Sequence, residues 1–309
     1  MSVLFTFPGQ GAQRPGMLHR LPKHFEVSRT VAETADALGD DPLRLDNDEA
    51  FASSFAVQIC LLLAGVAMAR VLAVHGARPD MVAGLSIGAY PAAVVAGILD
   101  YADAVRLVAR RGRLMDSRYP DGYGMAAIIG LDQGQLEPLI ACVHSRATPV
   151  YLANLNATRQ FVIAGANEAL HMVMAMALQL GATKVERLAV TVPSHCELFN
   201  DDATTMRNAF RSIALRRAEQ TYLSSSAARA LSDPARIADD LADNLARQVH
   251  WHDTARLAWE RGARLAVEMP SGTVLTNLTA PVFVDGQAVS CDNTNLETVV
   301  ALIARERQC

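Results

Sequence analysis

The sequence predicts an α/β protein in which a small ferredoxin-like unit is inserted into a larger domain. The composition, with 51% hydrophobic, 19% charged and 6% aromatic residues, is typical of a globular α/β protein. A strand, a tight turn and a helix follow one another around residue 86, and short strands and helices alternate between residues 125 and 190. With 309 residues, the chain can bury one large core, or a core together with a small inserted domain.

The N-terminal part is predicted to contribute a buried strand and a long core helix. Residues 3–7 favour β-structure and end at Pro8-Gly9-Gln10-Gly11, which predicts an internal strand followed by a glycine loop. The pattern of residues 50–72 is helical. Its most apolar part, residues 55–69, is interrupted by Gln58 and is too short to span a bilayer comfortably. We therefore predict a core helix and no membrane partner.

The most informative motif is Gly84-Leu85-Ser86-Ile87-Gly88. Apolar residues 81–83 precede it and a helix-like apolar stretch, residues 89–98, follows it, which is the layout of a nucleophile elbow. Glycines on both sides of a strained serine let the strand and the helix pass closely, and Pro91 is tolerated only in a first helical turn. The alternative is a chance G-x-S-x-G in an Ala/Gly-rich chain, but the flanks favour an acyl-enzyme at Ser86.

A helix carrying an inward-pointing arginine is predicted after the elbow. Asp100 is a suitable N-cap for a helix that runs to about residue 115. Arg111 falls inside the apolar stripe of this helix. A buried guanidinium requires an anion, because an unpaired buried charge is very costly. Two alternatives stay open: an internal salt bridge to Asp or Glu, or bidentate binding of a substrate carboxylate.

The middle of the chain is predicted to form the small unit, after a boundary at Pro120-Asp121-Gly122-Tyr123-Gly124. The predicted elements are strand 125–129, helix 133–143, strand 150–153, strand 160–164, helix 169–180 and strand 184–190. This is the order of a ferredoxin-like β-α-β-β-α-β unit of about 65 residues. Val192-Pro193-Ser194-His195 would return the chain to the large domain, where helices at 198–213, at 234–247 and from Asp253, and a strand at 264–268, are predicted. The domains are then 1–123 with 192–309, and 124–191.

A serine nucleophile needs a base, usually histidine. His195 is favoured because it lies on a Pro-Ser-His turn at a domain junction. His250 and His252 are the rivals, and their spacing could also indicate a metal, although two histidines without a third ligand are weak evidence for zinc. A structural histidine is the alternative for each. Cys196 could be a thiol nucleophile, but a buried inert cysteine is the more common case.

An oxyanion hole needs two convergent N–H donors. The backbone N–H of Ile87, directly after the serine, is the standard first donor of an elbow. The loop Gly9-Gln10-Gly11 is a candidate for the second, because glycine lets the backbone approach a ligand closely. A chance glycine turn after an edge strand is the alternative.

Charge and cysteine usage exclude some classes of function. The net charge is −4, from 28 basic and 32 acidic side chains without a basic block, so no nucleic acid partner is expected. The cysteines are odd in number and lack metal-type spacing, which indicates a reducing compartment. They are Cys60, Cys142, Cys196, Cys291 and Cys309. The N-terminus has no signal-peptide pattern, so a cytoplasmic location is predicted.

Taken together, the motifs resemble the malonyl-CoA:acyl carrier protein transacylase family over nearly the whole chain. The matching segments are Phe7-Pro8-Gly9-Gln10-Gly11-Ala12-Gln13, Gly84-Leu85-Ser86-Ile87-Gly88, Arg111-Gly112-Arg113-Leu114-Met115, Gln160-Phe161-Val162-Ile163-Ala164-Gly165, Val192-Pro193-Ser194-His195, Asn244-Leu245 and Glu268-Met269-Pro270-Ser271-Gly272-Thr273-Val274-Leu275. Ordered motifs at family spacing are far more specific than a single elbow.

The resemblance implies a role for each matching site residue. Ser86 would be the nucleophile, His195 the base and Arg111 the partner of the malonyl carboxylate. The backbone N–H groups of Gln10 and Ile87 would form the oxyanion hole. The backbone carbonyl of Asn244 would orient the histidine, so the family needs no acidic third member.

The resemblance also implies a fold, a substrate and a partner. The fold is a large α/β-hydrolase-like domain with a central parallel sheet and an inserted ferredoxin-like subdomain. The substrates are malonyl-CoA, as a CoA thioester, and the phosphopantetheine-type thiol of an acyl carrier protein. No metal and no permanently bound cofactor are expected.

Two positions next to the serine point to one branch of the family. Members that serve fatty-acid synthesis usually have His before and Glu three residues after the serine, whereas this chain has Leu85 and Ala89. This version looks like the transacylase subunit of malonate decarboxylase, whose other subunits would then be partners. The alternatives are a malonyl transacylase of fatty-acid or polyketide synthesis, a serine thioesterase or esterase, or a non-catalytic subunit that docks a carrier protein.

Overall fold

The computed structural model describes residues 2–119 and 121–308, which form two sheets covered by helices. The strands are β1 (Ser2–Phe7), β2 (Met81–Gly84), β3 (Tyr123–Ile129), β4 (Val150–Ala157), β5 (Gln160–Ala166), β6 (Lys184–Arg187), β7 (Thr221–Ser224), β8 (Arg229–Leu231), β9 (Ala263–Glu268) and β10 (Gln287–Ser290). The helices are α1 (Phe25–Leu38), α2 (Ser54–Val74), α3 (Ala89–Val95), α4 (Tyr101–Arg118), α5 (Gln133–Val143), α6 (Asn167–Gln179), α7 (Asn200–Phe210), α8 (Pro234–Asp243), α9 (Trp251–Glu260), α10 (Val274–Thr279) and α11 (Leu296–Gln308).

The larger sheet is mostly parallel and lies at the centre of the molecule. Its six strands have the order β10-β9-β1-β2-β7-β8, and every neighbouring pair is parallel except β7 and β8. Both faces of such a sheet are covered, so its strands are apolar throughout rather than alternating. In β1, for example, Val3, Leu4, Phe5 and Phe7 are all buried. The protein is therefore a mixed α/β fold with a central, parallel-rich sheet.

The smaller sheet is antiparallel and is formed by one continuous part of the chain. Its strands have the order β4-β5-β3-β6, and α5 and α6 pack against it to enclose a separate core. The elements follow one another as strand, helix, strand, strand, helix and strand, which is the predicted order. The last strand ends at Arg187 rather than at residue 190.

The core of the larger part is organised around α2. By length and composition, α2 is the one helix in the described part of the chain that could cross a membrane, but 83% of its most apolar window is buried inside the protein. It packs against α1 and α4. The prediction of a core helix is thus confirmed. The helix begins at Ser54 rather than at residue 50, because residues 50–52 form a separate 3-10 turn.

Some predicted boundaries are wrong by several residues. The predicted helix 89–98 ends at Val95, and Gly97 with φ 74° then turns the chain, as is common after a helix. The predicted helix 234–247 is α8 followed by a 3-10 turn, Asn244–Ala246. Pro120, in the predicted boundary, and Cys309 lie outside the described residues. The other four cysteines are free thiols.

Candidate active site

The serine of the elbow lies two residues after the end of β2, at the start of a 3-10 turn that leads into α3. Ser86 has φ 56°, a left-handed conformation that is strained for a residue with a side chain. A Cβ atom on Gly84 would lie 2.0 Å from the carbonyl oxygen of Gly88, and one on Gly88 would lie 2.0 Å from that of Phe7. The structure therefore confirms why both positions need glycine.

His195 is the residue that meets this serine. Its Nε2 lies 2.8 Å from Oγ of Ser86, and its Nδ1 lies 2.9 Å from the carbonyl oxygen of Asn244 and 3.1 Å from that of Arg247. Because carbonyl oxygens only accept hydrogen bonds, Nδ1 carries the proton and Nε2 is free to accept one from the serine hydroxyl. His195 has φ 67°, so its backbone is in the left-handed region, as that of Ser86 is.

The surroundings of His195 keep its ring neutral. Burial and the nearby charge of Arg111 lower its pKa from 6.5 to about 4, against the opposite effect of the two carbonyl hydrogen bonds. Among the described residues, no Asp or Glu hydrogen-bonds to this ring. A neutral imidazole at physiological pH can take a proton from the serine as it attacks.

Arg111 points inward from α4, as its place in the apolar stripe predicts, and is 1% exposed. Its Nη2 lies 3.2 Å from Oγ of Ser86 and 3.2 Å from Oδ1 of Asn244, and its Nη1 lies 2.7 Å from Oε1 of Gln58. Its Nε has no partner. Burial lowers the pKa of Arg111 to about 10, so the group stays charged at neutral pH.

The internal salt bridge considered for Arg111 is absent from the part of the chain that the structure describes. The ion pairs of the described residues involve other arginines, a lysine and their acidic partners. The guanidinium is instead surrounded by neutral acceptors. A buried cation without a counter-ion is strongly attractive to an anionic ligand.

The glycine loop after β1 packs directly against the elbow. A Cβ atom on Gly9 would lie 2.6 Å from the side chain of Leu85, and Gln10 borders the same cavity as Ser86. Ile87 is the second residue of the 3-10 turn, so its N–H has no acceptor within that turn. The structure thus brings Gln10 and Ile87 beside the serine, and their role as oxyanion donors stays a prediction.

A cavity of about 270 Å³ lies above the serine, between the two sheets. The large part of the protein contributes Ser86 and His195 to its wall, and the small sheet contributes Asn154 and Asn156. Both asparagine side chains are buried and their Oδ1 atoms have no partner. Sequence reasoning gave no role to these two residues, although two asparagines at alternate positions of a strand share a face and are unusual there.

The rival residues are placed elsewhere. His250 donates its backbone N–H to the carbonyl of Ser225 and borders a second cavity, which His195 also lines. The described residues contain no group of three His, Cys, Asp or Glu that could hold a metal ion. Cys196 donates its thiol to the carbonyl of Pro193, and burial raises its pKa to about 12, so the thiol stays protonated and unreactive.

Known proteins of one family match nearly the whole chain. The sequence model of a protein family, the acyl transferase domain, matches residues 4–308 of this chain. The malonyl CoA-acyl carrier protein transacylase of Haemophilus influenzae is 35% identical over 296 residues, which cover 93% of this chain and 94% of that relative.

Solved structures share the whole fold. The crystal structure of FabD from Acinetobacter baumannii has a TM-score of 0.93 at 34% identity and covers 98% of each chain. The malonyl-transacylase in the PlMCAT:AntF complex, which contains a holo type II PKS acyl carrier protein, has a TM-score of 0.92 at 32% identity and covers 97% of this chain and 99% of that one. The chain therefore belongs to the acyl transferase family and, within it, to the malonyl CoA-acyl carrier protein transacylases.

Proposed function

We propose that this protein transfers a malonyl group from malonyl-CoA to the prosthetic-group thiol of an acyl carrier protein, through a malonyl ester on Ser86. One observation carries the proposal. The guanidinium of Arg111 is buried, has no carboxylate partner among the described residues and lies 3.2 Å from the serine hydroxyl that is hydrogen-bonded to His195. A cation in that position favours an acyl group that ends in a carboxylate.

The reaction then proceeds in two half-reactions. His195 Nε2 takes the Ser86 proton as Oγ attacks the thioester carbonyl, and the N–H groups of Gln10 and Ile87 hold the oxyanion. The intermediate collapses, the CoA thiolate leaves, and it takes the proton back from His195. The carrier thiol next attacks the malonyl ester in the same way and regenerates the serine, which gives ping-pong kinetics. This chemistry needs no metal and no bound cofactor.

The carrier that accepts the malonyl group could belong to malonate decarboxylase or to fatty-acid or polyketide synthesis. Leu85 and Ala89 favour the malonate decarboxylase branch on sequence grounds, but the relatives and solved structures described above are named as transacylases of acyl carrier proteins. These names support the alternative of fatty-acid or polyketide synthesis better, and we propose a carrier of that kind. We also propose a cytoplasmic location, as the sequence predicts.

We further propose the two-domain division predicted from the sequence, with a hydrolase-like domain formed by residues 1–123 and 192–309. The strand order β4-β5-β3-β6 and the two helices on that sheet support a ferredoxin-like description of residues 124–191. The site then lies at the junction of the two domains, which is a common place for a ligand cavity.

Intact mass spectrometry after brief exposure to malonyl-CoA tests the proposal. The wild-type protein should gain the mass of one malonyl group, and Ser86→Ala should gain none and lose on the order of 10⁶ in kcat, because serine and histidine act as a unit. Failure of the wild-type protein to form an adduct would reject the covalent route and favour a non-catalytic docking subunit.

Adding acceptors separates the remaining alternatives. A holo acyl carrier protein of fatty-acid or polyketide synthesis should remove the malonyl group and gain it, whereas the malonate decarboxylase carrier should react more slowly. Rapid loss of the adduct to water without any carrier would instead indicate a thioesterase or esterase.

A further inference from the structure

Gln58 is a fully buried polar residue in the apolar core helix α2. Both the oxygen and the nitrogen of its side-chain amide are hydrogen-bonded. Oε1 accepts from Nη1 of Arg111 at 2.7 Å, and Nε2 donates to Sδ of Met115 at 3.1 Å. Burying an amide costs free energy unless the amide is hydrogen-bonded. The hydrogen bonds to Arg111 and Met115 therefore explain how a glutamine can occupy this apolar position.

The acceptors around the guanidinium are all electrically neutral. They are Oε1 of Gln58, Sδ of Met115, Oγ of Ser86 and Oδ1 of Asn244. Proteins usually bury an arginine together with a carboxylate, because the pair offsets part of the cost of desolvation. Here the arginine is fixed in direction while its charge stays uncompensated.

The kind of acceptor at position 58 decides whether that charge is available. An amide oxygen fixes the guanidinium and leaves the site with a net positive charge. A carboxylate at the same place would form a buried ion pair with Arg111 and neutralise its charge. It would also repel the carboxylate of an incoming acyl group. A neutral acyl group would be much less affected by either arrangement.

We propose that Gln58 is a positioning residue that fixes the Arg111 guanidinium through a neutral hydrogen bond and thereby makes the site selective for acyl groups that end in a carboxylate. The inference rests on the proposed function, because it assigns the cause of malonyl selectivity. It goes beyond that function in giving the selectivity to a residue of α2 that has no role in the acyl transfer itself.

The test compares malonyl-CoA with acetyl-CoA as donors for formation of the acyl-enzyme. In Gln58→Glu, kcat/KM for malonyl should fall by roughly 100-fold, the scale of a lost charge interaction, while the value for acetyl changes by less than about threefold. The malonyl-to-acetyl ratio should approach that of Arg111→Ala. Gln179→Glu makes the same chemical change at an exposed position of α6 and should leave both values unchanged.

A second variant keeps the inference testable if Gln58→Glu does not fold. Gln58→Met has a similar length and no charge, but it removes the amide acceptor and frees the guanidinium to move. It should lower kcat/KM for malonyl about tenfold, more than that for acetyl, and its ratio should stay above that of Gln58→Glu.

Equal losses for malonyl and acetyl in Gln58→Glu, or in Gln58→Met where the first variant is unfolded, would show that the residue is merely structural and would overturn the inference. Failure of the proposed function has a different signature, because the wild-type protein itself would then form no malonyl adduct.

Discussion

In the proposed mechanism, the protonation state of the His195 imidazole determines the pH range over which the site works. His195 is buried beside the charge of Arg111, and both factors disfavour its cationic form and lower its pKa to about 4. The carbonyl groups of Asn244 and Arg247 act in the opposite direction, but they do not offset burial. A base with a lowered pKa stays neutral, and therefore active, over a wider acidic range than a free histidine.

We expect the rate of malonyl-enzyme formation to be constant through neutral pH and to fall as the pH drops through about 4, because only then does His195 become protonated and unable to take the serine proton. Rapid-quench measurements of the acyl-enzyme against pH test this, with tryptophan fluorescence to establish that the protein stays folded at each pH. An acidic limb centred near 6.5, the unshifted value, would contradict the assignment of the environment of this ring.

The inward direction of Arg111 could be predicted, because a helical period fixes which side chains share a face. The residues that hydrogen-bond to its guanidinium could not be predicted. Gln58 lies on α2 and Asn244 on the turn after α8, and no local pattern relates them to α4. For the same reason the sequence could suggest a role for the backbone carbonyl of Asn244 but not the contact of its side chain with the arginine.

At the scale of elements, the elbow depends on close packing between backbone segments. Gly88 has φ −57°, which any residue adopts, so glycine is needed there for space alone. A Cβ atom on it would lie 2.0 Å from the carbonyl oxygen of Phe7 and 2.9 Å from that of Pro8. These atoms belong to β1 and to the loop that carries Gln10, and neither can move without disturbing the site.

Gly88→Ala should therefore lower the free energy of unfolding by about 3 kcal/mol and greatly reduce malonyl-enzyme formation, because overpacking pushes the elbow away from the Gln10 loop. Urea denaturation and intact mass spectrometry provide the two measurements. Gly134→Ala is the matched control, since its Cβ atom would lie at an ordinary 3.5 Å from Oδ1 of Asp132, at an exposed position of α5. A Gly88→Ala protein as stable and active as this control would refute the packing argument.

Elements with local signals were predictable, and those defined by distant pairing were not. α4 has its cap at Asp100, and the elbow has its two glycines, so both are visible in short windows of sequence. β7 has only four residues and is a strand because it pairs with β2, far earlier in the chain. Such short strands are fixed by tertiary contacts rather than by propensity.

At the scale of the whole molecule, one short segment joins the small sheet to the support of the histidine. The backbone N–H of Leu155, in the edge strand β4, donates to the carbonyl of Val249 at 2.7 Å, and Val249 donates to Ala153 at 2.9 Å. A few residues earlier, the carbonyls of Asn244 and Arg247 hold the ring of His195. The position of the cavity wall and the orientation of the His195 ring are therefore mechanically linked.

The side chain of Gln248 reinforces this link, because its Nε2 donates to the carbonyl of Leu152 at 2.8 Å. Gln248→Ala should remove about 1 kcal/mol from the local stability of the junction and so accelerate amide hydrogen exchange at Leu155 and Val249 about fivefold. Amides that join β3 and β5 should be unchanged, as should all of these amides in Gln179→Ala, an exposed control. Equal acceleration throughout the small sheet would mean that the side chain stabilises the fold in general. No acceleration would mean that the backbone hydrogen bonds of Val249 alone join this segment to the small sheet.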